Sequence, residues 1–426
     1  MKHLRLLLLG VAIACNYSPH TQDAPLVSIQ IQDRNGLTET ISTPERLVGF
    51  ETTNFSSSQP YKKVVRVYKQ NGKNTAKITT YHPNGTIWQY LETQDMRALG
   101  PYKEWYSNGA LKIEANVIGG VADINPSAQK DWLFDGVARV YDDQSRPVAE
   151  IPYDRGSLEG EAKYYYPNQN VEKTLLYHNN ELHGNVMEYE VDGALRSKVG
   201  YQAGEKAGLS EGYWAQDQLS WKEQYSNGLL LDGQYFSSNG ELISEIKNGH
   251  GFQILFEDGY MKQKVEIRKG KPEGIVQIFT ASGELSSSYH VKQGKKHGEE
   301  LEYYFSYEVD EDAATPLVKL SVPWVDDTIS GIVKTWYSNG KLESQREVSR
   351  NKKTGTALAW YCDGGLMYME EYEEDRLVKG TYYKKNQKDS VSSVQNGSGI
   401  ATIFDENGTF VRKVQYIKGK PVDLEE

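Results

Sequence analysis

The chain of 426 residues has few of the side chains that build cross-links, metal sites or catalytic centres. Only two cysteines are present, Cys15 and Cys362, and no group of cysteines and histidines has zinc spacing. A nucleophile elbow, a phosphate-binding Walker loop and a His-Glu-x-x-His motif are all absent from the sequence. We therefore expect a protein that is not an enzyme and that uses neither a metal ion nor a cofactor.

Basic and hydrophobic residues are also scarce. The chain has 48 Lys and Arg against 58 Asp and Glu, a net charge of −10. Since nucleic-acid binding depends on basic side chains that neutralise phosphates, a nucleic-acid partner is not expected. Only 38% of the residues are hydrophobic, too few for one large globular core in a chain of this length. Stacked repeats that contact only their neighbours need no such core.

One apolar run lies at the amino terminus. Met1 to Arg5 form a short basic start, and the apolar run Leu6 to Ala14 ends in small residues. This pattern predicts a secretory signal peptide over residues 1–14, too short to span a bilayer as a helix. Ala12-Ile13-Ala14-Cys15 resembles a bacterial lipobox, in which the cysteine is lipidated and becomes the first mature residue. The alternative is an ordinary signal peptide followed by an unrelated cysteine.

The lipobox resemblance implies three acyl chains on Cys15, enough for stable anchoring in a lipid bilayer. Asn16 follows the cysteine where Asp would be the retention signal of enteric bacteria, which favours the outer membrane over the inner membrane. Residues 15–60 are rich in Ser, Thr, Gln, Asn and Pro, and they predict a flexible tether with one strand at Leu26 to Ile31. Such a tether would reach on the order of 35–40 Å.

An aromatic residue recurs four positions before a tight-turn residue, usually every 24 residues. A fixed period of this size is typical of a repeat array in which one supersecondary unit is stacked many times. The recurring residues are Tyr81, Trp105, Tyr141, Tyr165, Tyr189, Tyr213, Phe236, Phe256, Phe279, Tyr303, Trp336, Trp360, Tyr383 and Phe404.

Each repeat reads as a β-hairpin. Asn-Gly or Asp-Gly follows the aromatic, as at Asn108-Gly109, Asn339-Gly340 and Asp363-Gly364, and predicts a type I′ turn with positive φ at both central residues. Strands such as Lys334 to Tyr337 alternate apolar and polar side chains, the period of a half-buried sheet. A Gly-spaced segment, such as Gly294 to Gly298, then leads to the next strand. We predict an all-β, elongated array of stacked antiparallel hairpins over residues 61–426.

The pattern Trp-Tyr-x-Asn-Gly-x-Leu followed by Tyr-x-x-Gly-Lys-x-x-Gly resembles the variant MORN repeat of bacterial proteins in the YwqK antitoxin family. The resemblance covers the chain from about Tyr81 to its end. It implies a β-hairpin array that associates with proteins or membranes and has no catalytic residues. It also suggests an alternative function, the antitoxin-like inhibition of an exported toxin.

Two insertions interrupt the period, near residues 119–131 and 308–318. Insertions in repeat proteins map to loops on one face, often the binding face. The second insertion contains Asp310-Glu311-Asp312, whose closely spaced carboxylates suit calcium but lack EF-hand spacing. A calcium site and a solvated acidic face are both open interpretations.

Adjacent strand residues point to opposite faces, so the two aromatics of each pair are expected on different sides of the sheet. We expect the first, such as Trp336, to form the core. The second is then exposed and forms a candidate binding face for another envelope or host protein, or alternatively for an envelope glycan. This candidate face comprises Tyr106, Tyr166, Trp214, Tyr304, Tyr337 and Tyr361. The predicted function is a lipid-anchored cell-envelope repeat protein that serves as a binding or scaffold surface.

Overall fold

The computed structural model describes residues 24–55, 57–59, 62–70, 74–215, 218–309 and 316–422. The predicted signal peptide, the predicted lipidation site Cys15 and the acidic residues Asp310-Glu311-Asp312 lie outside these ranges. Within them the regular secondary structure is almost entirely β-strand. This confirms the predicted all-β array of antiparallel hairpins.

The chain divides into two compact units, residues 24–171 with 177–180 and residues 172–176 with 181–422, among those described. The strands of the first unit are β1 (Leu26–Asp33), β2 (Thr38–Ile41), β3 (Lys62–Gln70), β4 (Asn74–Tyr81), β5 (Ile87–Gln94), β6 (Arg97–Trp105), β7 (Leu111–Gly119), β8 (Leu133–Phe134), β9 (Gly136–Tyr141), β10 (Pro147–Asp154), β11 (Ser157–Leu158) and β12 (Gly160–Tyr165). Its helices are α1 (Pro44–Leu47), a 3-10 turn (Val48–Phe50) and α2 (Pro126–Gln129). The strand β13 (Val171–His178) is divided between the units.

The second unit contains one 3-10 turn, Ser306–Glu308, and a long series of strands. They are β14 (Glu181–Tyr189), β15 (Leu195–Gln202), β16 (Glu205–Lys206), β17 (Gly208–Ala215), β18 (Gln218–Ser226), β19 (Leu229–Phe236), β20 (Leu242–Lys247), β21 (His250–Glu257), β22 (Tyr260–Arg268), β23 (Lys271–Phe279), β24 (Leu285–Lys292), β25 (Lys295–Lys296), β26 (Gly298–Tyr303), β27 (Val318–Val325), β28 (Thr328–Ile329), β29 (Gly331–Trp336), β30 (Leu342–Ser349), β31 (Lys352–Trp360), β32 (Leu366–Glu373), β33 (Arg376–Tyr383), β34 (Ser390–Gln395), β35 (Ser398–Phe404), β36 (Phe410–Ile417) and β37 (Lys420–Val422). Strands that follow one another in the chain pair antiparallel, as β31 does with β32 and β35 with β36.

The turn Asp258-Gly259 after Phe256 is a type I′ turn as predicted, with φ of 47° and 85°, but most turns after the recurring aromatics are not. In the turn Tyr106 to Ala110, the amide of Tyr106 donates to the carbonyl of Ala110 and the amide of Gly109 donates to the carbonyl of Tyr106, both at 2.9 Å. Gly109 has φ +87°, whereas Asn108 is not among the residues with positive φ. This is a type I turn closed by one left-handed residue, because the loop holds three residues rather than two.

The opposite ends of the hairpins carry the type I′ turns. Glu374 and Asp375 have φ of 45° and 66°, and Arg350 and Asn351 have φ of 51° and 64°. The amide of Asp375 donates to the carbonyl of Lys353 at 2.9 Å, and its carboxylate accepts from the amide of Lys353 at 2.8 Å. Asn351 makes the same two bonds to the preceding turn. Each turn is therefore locked to the turn of the preceding hairpin.

The segment before the repeats is folded. The predicted strand at Leu26 to Ile31 is present as β1, whereas the flexible tether predicted around it is wrong for residues 32–50. Strand β1 pairs with β2 and β3, with Ile29 opposite Ile41 and opposite Val67. Ile29 is fully buried and Ile41 and Leu47 nearly so, in one cluster with Val67. The alternating apolar residues of β1 and the helix α1 together cover one face of the first hairpins, which gives this segment enough buried surface to fold.

The insertion at residues 119–131 covers the other face. Asn125 caps α2, and the buried residues Ile124 and Trp132 pack with Tyr102, whose ring centre lies 4.9 Å from that of Trp132. Arg66 on β3 forms an ion pair with Asp123 at 2.9 Å. The predicted insertion is therefore part of the core of the first unit, not an open loop.

The second unit contains an internal duplication, in which residues 189–272 and 336–421 have the same arrangement. Their sequences share Glu223 with Glu370, Tyr235 with Tyr382, and the segment Gly270-Lys271-Pro272 with Gly419-Lys420-Pro421. In each copy a buried glutamate accepts a hydrogen bond from a fully buried tyrosine, at 2.6 Å in the first and 2.7 Å in the second. The two copies therefore bury the same polar pair at the same place.

Each copy of the duplication also curls in the same way. The amide of Leu230 donates to the carbonyl of Gly270 at 3.1 Å, and the amide of Leu377 donates to the carbonyl of Gly419 at 3.0 Å. A Cβ atom added to Gly249 would lie 2.6 Å from the backbone nitrogen of Gly270. The turns at residues 227–228, 248–249 and 269–270 come together at this point, so only glycine fits at position 249.

Gly340 allows a direct test of the turn geometry. It has φ +79°, and a Cβ atom there would meet only Leu317 Cδ1, at 3.7 Å, so space is available and the cost of a side chain is conformational. We expect Gly340→Val to lower the free energy of unfolding by about 1–2 kcal/mol and Gly340→Asn to lower it less, because asparagine tolerates the left-handed region. Urea denaturation of both variants checks this, and equal losses would contradict the assigned turn.

Candidate functional site

The second aromatic of each pair links its repeat to the next one. The phenol of Tyr337 donates to the carbonyl of Trp360 at 2.7 Å, and the phenol of Tyr361 donates to the carbonyl of Tyr383 at the same distance. Similar bonds run from Tyr304 to Trp336 at 2.7 Å, from Tyr106 to Tyr141 at 3.1 Å and from the indole of Trp214 to Phe236 at 3.1 Å. We call this series of turn-to-carbonyl bonds the aromatic ladder.

These side chains are not the exposed row that alternation predicts. Tyr361 is fully buried and Tyr337 is 6% exposed, while Tyr106, Tyr166, Trp214 and Tyr304 are half-buried. The reason is that each residue begins a turn instead of continuing the strand, so the two-residue alternation does not apply to it. Burial raises the pKa of Tyr337 and of Tyr361, which keeps both phenols protonated as donors.

The first aromatics lie on the more open side of the sheet. On β29, Trp336 shares a strand face with Lys334 and with Ile332, which is 45% exposed. On β32, Met369 is 48% exposed and lies opposite Leu358. We define the outer face by these residues together with their cross-strand neighbours, so that it comprises Ile332, Lys334, Trp336, Gln345, Leu358, Trp360, Met369, Thr381 and Tyr383.

The outer face combines half-buried aromatic side chains with exposed charges. Trp336, Trp360 and Tyr383 are each half-buried, and Glu347 and Glu371 are exposed beside them. The alternation of the sequence does not predict this face, because it places the first aromatics in the core. A usable signal was the lysine two positions before the aromatic, as in Lys334 and Trp336, since residues two apart share a strand face.

No metal site is evident in the part of the chain that the structure describes, where no group of three or more His, Cys, Asp and Glu side chains could hold an ion. Across the same residues no helix is both long and apolar enough to cross a membrane. The remaining cysteine, Cys362, is half-buried and lies 3.7 Å from the ammonium of Lys385.

The repeat geometry agrees with a known family of sequence repeats. Residues 98–118, 158–179 and 329–348 match the MORN repeat variant model. The chain is similar to this repeat over these three segments. Each contains two successive strands of the array, complete or nearly so, and the turn between them: β6 and β7, β12 and β13, and β29 and β30. MORN repeats suggest a repeat-based binding or scaffold protein. No curated protein matches the chain.

Solved structures resemble the chain only remotely. The Tc holotoxin pore of Photorhabdus luminescens is 9% identical with a TM-score of 0.16, and the alignment covers 94% of this chain and 25% of that one. The complex of TcdB2 and TccC3 without its hypervariable C-terminal region is 8% identical, with a TM-score of 0.15, and covers 87% of this chain and 25% of that one. A porin-like protein from Bacteroides uniformis is 10% identical with a TM-score of 0.15, over 56% of this chain and 94% of that one. This chain thus spans a quarter of the first two, and these likenesses carry no functional argument.

The sequence predicts that replacing the first aromatic of a pair costs more stability than replacing the second. The observed burial predicts the opposite order. Because Tyr337 is buried, Tyr337→Ala should cost about 3–5 kcal/mol, whereas Trp336→Ala on the outer face should cost roughly 1–2 kcal/mol. Tyr337→Phe, which removes only the bond to the Trp360 carbonyl, should cost about 1 kcal/mol. Chemical denaturation of the three variants measures these losses. A larger loss for Trp336→Ala than for Tyr337→Ala would show that the outer face is core.

Proposed function

We propose that this protein is a lipid-anchored repeat protein of the cell envelope whose outer face binds a protein partner. The observation that carries the proposal is the row of half-buried aromatics with exposed apolar side chains between them. Protein interfaces are enriched in Trp, Tyr and Met at their centres and are rimmed by polar groups. Trp336, Trp360 and Met369 supply the first kind of side chain, and Lys334 and Glu371 the second.

The geometry of β29 to β33 suits a protein partner for a second reason. Antiparallel strands that pair in register hold the side chains of one face in fixed rows, such as Lys334, Gln345, Leu358, Met369 and Thr381. A face built in this way is ordered before binding, so little conformational entropy is lost on association. No catalytic chemistry is part of the proposal.

The proposed anchor rests on the sequence. Cys15 follows a basic and apolar leader, and three acyl chains on it would hold the protein at a bilayer. Asn16 supports the outer membrane in preference to the inner membrane. Residues 26–50 are folded, so the segment available as a spacer is shorter than the predicted tether.

The alternative functions have less support. A glycan-binding row made of the second aromatics would need exposed rings, but Tyr337 and Tyr361 are buried in the aromatic ladder. An antitoxin-like role follows only from the family resemblance, and it requires that the toxin also be exported. Protein binding through the outer face is therefore the function that the geometry supports best.

Replacement of the proposed lipidated cysteine tests the anchor. We expect Cys15→Ser to move the protein from the membrane fraction to the soluble fraction, because the acyl chains that hold it are lost. Cys362→Ser is the matched control and should leave the distribution unchanged. A Cys15→Ser variant that stays fully in the membrane fraction without detergent would show that Cys15 is not the anchor.

Site-specific photo-crosslinking tests the outer face. A photo-reactive residue replacing Met369, in the native envelope, should capture one defined protein partner, because Met369 lies exposed at the centre of the face. The same residue replacing Met96, which is 81% exposed in the first unit, is the control and should not capture that partner. Adding Ile332→Glu should reduce the crosslink several-fold. Equal capture from both positions would argue against a specific face.

A further inference from the structure

A cleft of about 420 Å³ opens in the second unit beside the turn that begins at Glu190. Its aromatic walls are Trp214, Trp221 and Phe256, and the rings of Trp214 and Phe256 lie edge to face at 4.6 Å. Four carboxylates line the same cleft, those of Glu188, Glu190, Glu257 and Asp258. It involves none of the residues of the outer face.

The internal duplication shows what fills this place in the other copy. The turn that begins at Glu190 corresponds to the turn that begins at Tyr337, and both have the same backbone hydrogen bonds, from the first residue to the fifth and from the fourth to the first. In the second copy the ring of Tyr337 occupies the position, 6% exposed, beside Tyr361. Tyr361 corresponds to Trp214. The cleft therefore lies at the place that the ring of Tyr337 fills in the second copy.

Glu190 neither fills this space with a ring nor caps its own turn, as the first residues of other turns do. In some repeats a short polar residue begins the turn and caps it, as Asp142 Oδ1 does by accepting from the amide of Arg146 at 2.8 Å. Thr280 Oγ1 likewise accepts from the amide of Glu284 at 3.1 Å. The carboxylate of Glu190 instead lies 3.8 Å from the guanidinium of Arg196, which also lines the cleft.

The polar groups of the cleft are mainly acceptors. An ionised carboxylate only accepts hydrogen bonds and has about four acceptor positions. Glu257 pairs with Lys262 at 3.0 Å and Glu188 accepts from the hydroxyl of Ser197 at 3.4 Å, which leaves both with capacity for further donors. Arg196 in the cleft and Lys262, which pairs with Glu257, offset part of the negative charge, and the remaining acceptor positions suit a ligand that offers several hydroxyl groups as donors.

We propose that this cleft binds a neutral pyranose ring of a glycan. The apolar C–H face of the sugar would pack on Trp214 and Trp221, in the space that Tyr337 fills in the second copy. Its hydroxyls would donate to Glu188, Glu190 and Glu257. A tyrosine side chain from a protein has the right ring but only one hydroxyl, so it would use one of these acceptors and leave the others without a ligand partner.

Binding to the full-length protein can be measured directly. Saturation-transfer NMR and tryptophan fluorescence titrations would use the methyl glycosides of glucose, galactose, mannose and N-acetylglucosamine, with N-acetyltyrosinamide as the competing chemistry. We expect at least one glycoside to bind with a Kd of about 1 mM, the strength that a single small ring in an open site can reach. Binding of N-acetyltyrosinamide alone would overturn the proposal, and so would the absence of binding by any glycoside.

The variant Glu190→Tyr refills the cleft with the residue that the second copy has. It should keep the fold, because the same turn accepts tyrosine at position 337, and it should weaken glycoside binding at least about tenfold by occupying the site. Thr280→Tyr places the same side chain at the same repeat position elsewhere in the second unit and should leave binding unchanged. Unchanged binding in Glu190→Tyr, with an unchanged melting temperature, would overturn the assignment of this cleft. Neither result depends on the outer face or on the protein partner.

Discussion

The hydrogen bond from the first side chain of a turn to a carbonyl of the next repeat is the interaction on which the array depends. A hairpin repeat has no core of its own, so its stability comes from contacts with its neighbours. Strand pairing alone would leave the turns free to separate. The bonds from Tyr304, Tyr337 and Tyr361 close that end, and the paired backbone and side-chain bonds of Asn351 and Asp375 close the opposite end.

The same interaction explains where space for ligands arises. A phenol or indole at the start of a turn fills the gap between successive turns and satisfies a carbonyl in the next repeat. A short residue such as Asp142 or Thr280 caps its own turn instead. Glu190 is too long to act as such a cap, and an ionised carboxylate cannot donate a hydrogen bond. Its repeat therefore keeps the hairpin fold but leaves the gap between successive turns unfilled. Variation at this one position therefore changes the surface without changing the backbone.

Much of the fold could be predicted from the sequence because the same pattern of turn residues and alternating side chains recurs in many repeats. The positive φ of Gly109, Gly340 and Gly364 and the antiparallel hairpins follow from turn and alternation patterns that recur along the chain. The direction of the second aromatic could not be predicted, since alternation ends at the residue where a turn begins. The folded segment around Ile29 and the insertion around Trp132 were also missed, because each occurs once and gains stability only from faces of the sheet that the fold creates.

Substitutions at the two kinds of aromatic position are expected to have different effects. A substitution of Tyr337 or Tyr361 removes buried surface and a bond between repeats, so it acts first on folding. A substitution of Trp336, Trp360 or Met369 changes a half-buried or exposed side chain on a strand that remains paired on both sides, so it acts first on what the sheet contacts. A repeat array can therefore alter its outer face with little loss of stability while the ladder residues keep successive hairpins in register. This separation explains how a thin sheet with a small core can support a specific binding surface.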